Sequence, residues 1–273
     1  MDAPGNGEEA VTLTHPSGAS ARITHHGAHV VSWIDASGKE RLYLSPKARF
    51  GPGQAIRGGV PVIFPQFATG PLPKHGLLRT RRWSLISHLG SSATFRITDD
   101  DQTRALWPYP FIAELTVDLA EMLTVSLRIT NSGDSPFSFT AALHNYFAVA
   151  NVRLSAVQGL AGLVYVDKAL GGTRCVEEAS ELRISGETDR IYIAGPRQVT
   201  IASAVGSSST VVGADGFGDW VVWNPWRDGS ASLADMDPED YLEMLCVEAA
   251  RISDPVVLDA RAVWCGTEVI GAT

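Results

Sequence analysis

Apolar residues alternate with polar ones along most of this chain, and this two-residue period limits the fold more than any other feature. Leu115–Leu119 and Leu123–Ile129 read LTVDL and LTVSLRI, and the short gap between them predicts a hairpin. Asn131–Pro136 is rich in turn-forming residues, and the alternation resumes over Phe137–Leu143. No window of a dozen residues has a helical period. We therefore predict an all-β chain, built as an antiparallel sandwich.

Further strands are predicted by the same period. They are Ala21–Ile34 with a turn at Gly27, Arg190–Ala194, Val199–Ala202, Thr210–Val212, Trp220–Trp223, Leu242–Glu248 and Arg261–Trp264. Gly, Pro and Ser are scattered as turn residues rather than gathered into a linker. We expect a flexible N-terminal tail over residues 1–10 and one β-sandwich domain over residues 11–273.

Charge and composition exclude several classes of function. The chain has 22 Lys+Arg against 30 Asp+Glu, a net charge of −8, and no basic block, so we expect no nucleic-acid partner. No apolar stretch reaches the ~18 residues of a membrane helix. The acidic start is unlike a signal peptide, which predicts a cytoplasmic protein. The spacing of Cys175, Cys246 and Cys265 predicts neither a disulfide framework nor a zinc site.

The segment 55–83 reads AIRGGVPVIFPQFATGPLPKHGLLRTRRW, and its prolines and glycines predict irregular backbone of the kind that lines clefts. Arg57, Lys74 and Arg79 are candidates for binding an anion, since a guanidinium can hold a phosphate or carboxylate by two parallel hydrogen bonds. Arg81 and Arg82 are more typical of ordinary surface cations.

Two further residues are candidates for chemistry. Glu248 ends the apolar run MLCVE, where a carboxylate is costly to bury unless it is hydrogen-bonded or functional. His144, in ALHNYF, is as consistent with a structural role as with a catalytic one. The HHxxH pattern of His25, His26 and His29 predicts no metal site, because neighbouring strand residues point to opposite faces.

One acidic cluster and one aromatic cluster favour structural interpretations. The acidic run 235–240 is interpreted as a solvated turn. The segment 107–111, WPYPF, is most simply a packed corner, although one aromatic side chain there is a candidate for stacking on a sugar.

Seven segments occur in an order that resembles the glucose-6-phosphate 1-epimerase (hexose-6-phosphate mutarotase) branch of the aldose 1-epimerase superfamily. They are IRGGVPVIFPQF, LPKHGLLRTRRW, WPYPF, ALHNYF, GETDRIY, VVWNPW and MLCVEAA, spread from residue 56 to residue 250. The resemblance implies a large antiparallel β-sandwich of the galactose-mutarotase type, in agreement with the alternation.

The resemblance also implies roles for individual residues. Glu248 matches the general base and His144 the general acid. Further matches are to substrate-binding residues: His75 and Asp189 for the sugar, and Arg57 and Arg79 for a 6-phosphate. Lys74 departs from the pattern, since Gln commonly precedes this His-Gly pair, and a cation there strengthens an anion site.

The implied activity is the interconversion of the α and β anomers of a hexose 6-phosphate by acid–base opening and closing of the ring. Attraction between Glu248 and His144 is expected to favour the charged pair. We expect no cofactor and no metal, a small sugar phosphate as the partner, and a monomer. Two alternatives stay open: an epimerase for unphosphorylated aldoses, and a non-catalytic sandwich that binds sugar phosphates.

Overall fold

The computed structural model describes residues 7–203 and 209–273, and strands dominate both ranges. The first ten strands are β1 (Ala10–Thr14), β2 (Ser20–Thr24), β3 (His29–Ile34), β4 (Val62–Ile63), β5 (Ser84–Leu89), β6 (Ser92–Thr98), β7 (Phe111–Leu119), β8 (Leu123–Asn131), β9 (Phe137–Leu143) and β10 (Tyr146–Ala148). The next ten are β11 (Ala156–Gln158), β12 (Val164–Asp167), β13 (Thr173–Val176), β14 (Glu181–Arg183), β15 (Thr188–Tyr192), β16 (Gln198–Ala202), β17 (Thr210–Asp215), β18 (Asp219–Asn224), β19 (Met244–Leu258) and β20 (Val263–Ala272).

Helices in the described ranges are short: α1 (Asp101–Leu106), α2 (Trp226–Ser232) and single 3₁₀ turns at Val152–Leu154 and Asp240–Leu242. Neither α-helix of the described part has the length and apolarity that a membrane crossing requires. The capping box of Asp100 and Thr103 explains where α1 begins, since each side chain accepts a hydrogen bond from the other residue's backbone N–H.

Two large antiparallel sheets form the body of the protein. One has nine strands in the order β14-β11-β16-β17-β20-β8-β7-β6-β5. The other has eight, β13-β12-β15-β18-β19-β9-β4, with β10 also paired to β19. One apolar core holds side chains from both sheets, for example Leu127 of the first and Val247 of the second. The predicted all-β sandwich is therefore confirmed.

The predicted hairpin is β7–β8, with Leu115 paired to Leu127. β9 has the predicted bounds, Phe137–Leu143. Of the predicted tail, residues 1–6 lie outside the described residues, and β1 begins at Ala10.

Strand β19 is longer than predicted and begins later, because Tyr241 and Leu242 belong to a 3₁₀ turn. It continues past Glu248 through Pro255, and its pairing with β9 shifts register between Arg251 and Val256. Such an irregularity accommodates a proline that a regular ladder excludes.

Candidate active site

A cavity of about 310 Å³ lies over the outer face of the eight-stranded sheet. All seven residues that the sequence singled out line it, together with residues that the sequence analysis left out. The predicted ones are Arg57, Lys74, His75, Arg79, His144, Asp189 and Glu248, and the others include Phe67, Tyr146, Lys168, Val221 and Trp223. Strands β15, β18 and β19 form its floor, and the irregular segment 55–79 forms a wall.

His144 and Glu248 meet because their strands pair in a fixed register. Leu143 is opposite Ala249, and Tyr146 is opposite Cys246, so His144 lies opposite Glu248 on the same face of the sheet. The His144 Nδ1 is 3.4 Å from a Glu248 carboxylate oxygen. Both side chains are buried, at 8% and 1% exposure.

Burial governs the charge of this pair. It raises the pKa of Glu248 well above its ordinary value, and the neighbouring acids Asp189 and Glu268 raise it further when they are ionised. Burial likewise lowers the pKa of His144, with His75 and Arg79 adding to the effect. Both shifts oppose the charged pair that the sequence analysis expects, because desolvation favours the neutral form of each group.

His75 lies beside His144, with the two rings perpendicular and their centres 5.3 Å apart. Its Nδ1 accepts a hydrogen bond from the backbone N–H of Ala68 at 3.3 Å. Burial, with the charges of Arg79 and Lys74, lowers the pKa of His75 to about 3. The ring is therefore neutral, and its remaining proton is on Nε2, which is left to donate to a ligand.

The His75-Gly76 step depends on glycine. Gly76 has φ +77, and a Cβ there would be 2.1 Å from the carbonyl oxygen of Phe64. This close approach holds the wall of the cavity against the short strand β4.

The two arginines are held differently. The Arg57 guanidinium donates to Asp235 through Nε and Nη2, each at 3.2 Å, and through Nη1 to the Tyr146 hydroxyl at 3.0 Å. Arg79 donates through Nη2 to the Lys74 carbonyl at 2.9 Å, while its Nε is buried without a hydrogen-bond partner among the described residues. Of the two arginines, Arg79 is thus the one with a buried donor still available.

Two lysines and one carboxylate complete the polar lining. Lys168 lies in the turn after β12, and its backbone N–H donates to the carbonyl of Asp189 at 2.7 Å. Burial raises the pKa of Asp189, although the positive charges of Lys168 and Lys74 act to lower it. Burial and the charge of Arg79 lower the pKa of Lys74. Lys168 was missed, because a lysine in an ordinary hairpin turn carries no sequence signal.

One group of donors has the chemistry of a metal site. Nδ1 or Nε2 of His144, Sγ of Cys246 and a carboxylate oxygen of Glu248 lie within 4.8 Å of one another. Nitrogen, sulfur and oxygen donors suit a thiophilic ion such as Zn²⁺. The prediction that the chain uses no metal stays a prediction.

The HHxxH histidines bind separate partners. A ring nitrogen of His26 donates to the Gln54 carbonyl, and one of His29 to the Gly58 carbonyl, both at 2.7 Å. His29 therefore supports the loop that carries Arg57.

The interpretation of 235–240 as a solvated turn is wrong for two of its acids. Asp235 accepts from Arg57, and Asp240 accepts from the Tyr43 hydroxyl at 2.6 Å. Trp107 packs at the predicted corner. The centre of its ring is 5.4 Å from that of Phe64 and 4.8 Å from that of Phe137.

Comparison with known proteins agrees with this geometry. The chain is 33% identical to a Cenchrus ciliaris protein named "Putative glucose-6-phosphate 1-epimerase", over 98% of this chain and 85% of the relative. An Escherichia coli K12 protein of the same name is 32% identical, over 90% and 84%. The crystal structure of "a putative mutarotase (YeaD) from Salmonella typhimurium" superimposes with a TM-score of 0.90 at 27% identity, over 97% of this chain and 90% of that one. The aldose 1-epimerase family model matches residues 9–270, and the chain belongs to this family.

Proposed function

We propose that the protein interconverts the α and β anomers of a hexose 6-phosphate, with glucose 6-phosphate as the first substrate to test. The observation that carries this proposal is the His144–Glu248 pair, 3.4 Å apart, in the cavity that also holds Arg57, Arg79 and Lys74. The similarity to relatives named as glucose-6-phosphate 1-epimerases supports the choice of substrate.

The charges in the cavity favour a phosphorylated sugar. Arg57, Lys74, Arg79 and Lys168 supply four cations. Burial raises the pKa of Glu248 and so favours its neutral form, and Asp189 is the other lining carboxyl group. A phosphate monoester carries a charge of about −1.5 to −2 at neutral pH, which offsets this excess of positive charge.

The reaction needs one proton shared by the His144–Glu248 pair, and the opposite pKa shifts of the two groups favour its resting position on Glu248. Transfer to His144 gives the ionised base and the protonated acid. Glu248 then removes the proton of the C1 hydroxyl while His144 protonates the ring oxygen, and the C1–O5 bond breaks to give the aldehyde. His144 Nδ1 faces Glu248, so Nε2 is the nitrogen that faces the sugar.

Rotation about C1–C2 turns the other face of the aldehyde toward the C5 hydroxyl. His144 then takes the proton of that hydroxyl as O5 attacks C1, and Glu248 returns a proton to O1. The phosphate stays bound to the cationic side chains, which keeps the open chain in the cavity. Each positioned acid or base contributes about 10²–10⁴-fold to the rate.

The test is exchange NMR between the anomers of glucose 6-phosphate, with and without the protein. Glu248→Gln and His144→Ala should each reduce the acceleration by about 10²–10⁴-fold. Glu121→Gln, an exposed carboxylate outside the cavity, is the control and should leave it unchanged. Saturable sugar-phosphate binding with no acceleration would instead identify a non-catalytic protein.

A second candidate is an epimerase for unphosphorylated aldoses, and one observation favours it: Arg57 is already engaged by Asp235 and Tyr146. Arg79→Ala separates the two functions. If Arg79 binds the phosphate, its loss raises KM for glucose 6-phosphate by about 10–100-fold, the value of a charged hydrogen bond, and leaves KM for glucose unchanged. Arg128→Ala, an exposed arginine of β8, is the matched control. Equal effects on both sugars would favour the second candidate.

A further inference from the structure

A buried carboxyl group lies behind the candidate active site and has no part in the chemistry described above. Glu268 of β20 is fully buried, on the face of the nine-stranded sheet that points into the core. Its neighbours at paired positions are Val125 of β8 and Ala214 of β17. None of the hydrogen bonds or ion pairs found in the described residues joins Glu268 to a cation.

Its partner is Asn145, which comes directly after His144. The register that places His144 opposite Glu248 also places Asn145 opposite Val247, on the opposite face of the sheet. The Asn145 Nδ2 donates to the Val247 carbonyl at 3.1 Å and to Oε1 of Glu268. Asn145 therefore connects the segment that carries His144 to strand β19, which carries Glu248. Glu268, which belongs to the nine-stranded sheet, fixes the Asn145 side chain by the second hydrogen bond.

This contact leaves two acceptors without donors. Oδ1 of Asn145 and Oε2 of Glu268 are both buried, and neither has a hydrogen-bond partner within residues 7–203 and 209–273. An unsatisfied buried polar atom costs about 1–3 kcal/mol. A proton on Oε2 supplies the missing donor, because a carboxylic acid and a primary amide can form two hydrogen bonds in a ring, each group donating once and accepting once.

We propose that Glu268 is a neutral carboxylic acid that pairs with the Asn145 amide and thereby positions His144 against Glu248. Glu268 is a positioning residue, since it touches neither the cavity nor the substrate. Its effect on catalysis rests on the proposed function, whereas its protonation and pairing do not.

The surroundings of Glu268 agree with a neutral group. Burial raises its pKa well above the ordinary value, and the hydrogen bond from Asn145 opposes this only in part. Glu248 of β19 interacts electrostatically with Glu268, although its side chain, like those of His144 and Tyr146, lies on the opposite face of the eight-stranded sheet. An ionised Glu268 would raise the pKa of Glu248, whereas a neutral one leaves the base easier to ionise.

Two variants separate pairing from charge. Glu268→Gln keeps one donor and one acceptor toward Asn145, so kcat and KM should stay within about twofold of the wild type. Glu268→Leu removes both hydrogen bonds, and kcat should fall by about 10–100-fold with KM changed little, because small displacements of catalytic groups have effects of this size. An unchanged kcat in Glu268→Leu, or an equal loss in Glu268→Gln, would overturn the positioning role.

The protonation state is tested without any activity, by thermal unfolding of the wild type and Glu268→Gln at pH 8 and pH 4. A folded-state pKa above that of the unfolded chain favours folding at low pH, and this advantage is lost as the pH rises. Replacing the acid by Gln should therefore raise Tm more at pH 8 than at pH 4. Equal changes in Tm at the two pH values would mean that Glu268 is ionised, and would overturn the proposal.

The infrared spectrum gives a direct readout of the same proton. Two buried acids, Glu248 and Glu268, are expected to absorb as protonated carboxyl groups at pH 8. The carbonyl band assigned to Glu268 should be missing from Glu268→Gln but kept in Glu248→Gln and in the control Glu121→Gln. If this band and the Tm difference appear in a protein that does not accelerate anomer exchange, the proposed function fails and the Glu268–Asn145 pair stands.

Discussion

Acid should destabilise this protein partly through His29, and replacing His29 by Gln isolates that contribution. The His29 side chain is fully buried, and its Nε2 donates to the Gly58 carbonyl at 2.7 Å, next to Arg57. Burial lowers its pKa from 6.5 to about 3. The ring is therefore neutral in the folded protein at pH values where the unfolded chain already carries a proton there.

The sign and the size follow from this difference. Because the unfolded state binds the extra proton, the free energy of unfolding falls as the pH drops from 6.5 toward 3. At 1.36 kcal/mol per pKa unit, the loss between pH 7 and pH 4 is about 3 kcal/mol. A glutamine keeps a donor for Gly58 and does not titrate.

The assay is urea unfolding at pH 7 and pH 4. The loss of stability between the two pH values should be about 3 kcal/mol smaller in His29→Gln than in the wild type. His88→Gln, an exposed histidine of β5, is the matched control and should keep the wild-type loss. Other buried groups titrate in both proteins and cancel in the comparison. A full wild-type loss in His29→Gln would refute the reasoning.

Three shorter predictions concern the cavity. Because burial lowers the pKa of His144 well below 6.5, ¹⁵N NMR of the free protein at pH 6 should show a neutral ring, and an imidazolium signal would contradict this. Lys74→Gln should raise KM for glucose 6-phosphate by about threefold to tenfold with kcat unchanged, since the Lys74 side chain is only partly buried and solvent screens its charge. Steady-state kinetics in which KM did not move would show the idea to be wrong. Gly76→Ala should lower the free energy of unfolding by about 3 kcal/mol in urea, because its Cβ meets the Phe64 carbonyl, whereas Gly90→Ala, with φ +59 and open space, should lose only about 1 kcal/mol.

Strands with strict alternation were predictable because each has one buried face. Phe137–Leu143 and the β7–β8 hairpin are of this kind, and their bounds or pairing agree with the structure. The continuation of β19 through Pro255 was not predictable, since a proline normally ends a strand and only the register shift tolerates it. The short helix α2 likewise gives too few turns for a helical period to be visible.

Only those lining residues of the cavity that belong to a motif, or that are unusual in their local sequence, could be predicted. Glu248 drew notice as an acid in an apolar strand, and all seven predicted residues line one cavity. Lys168 and the contact of Asp235 with Arg57 depend on loops brought together by the tertiary fold, for which local spacing gives no information. The same is true of Asn145 and Glu268, whose meeting requires both sheets.

The direct cross-strand alignment of His144 with Glu248 limits which bonds of a sugar such a protein can rearrange. Two groups this close, fixed by main-chain pairing, suit two oxygens that are themselves close together. In an aldose ring, the anomeric carbon alone carries two oxygens, one in the ring and one in the hydroxyl group. A reaction whose proton donor and acceptor must stand on opposite faces of a stereocentre would need a wider separation of the two groups, and so a different pairing of the strands themselves.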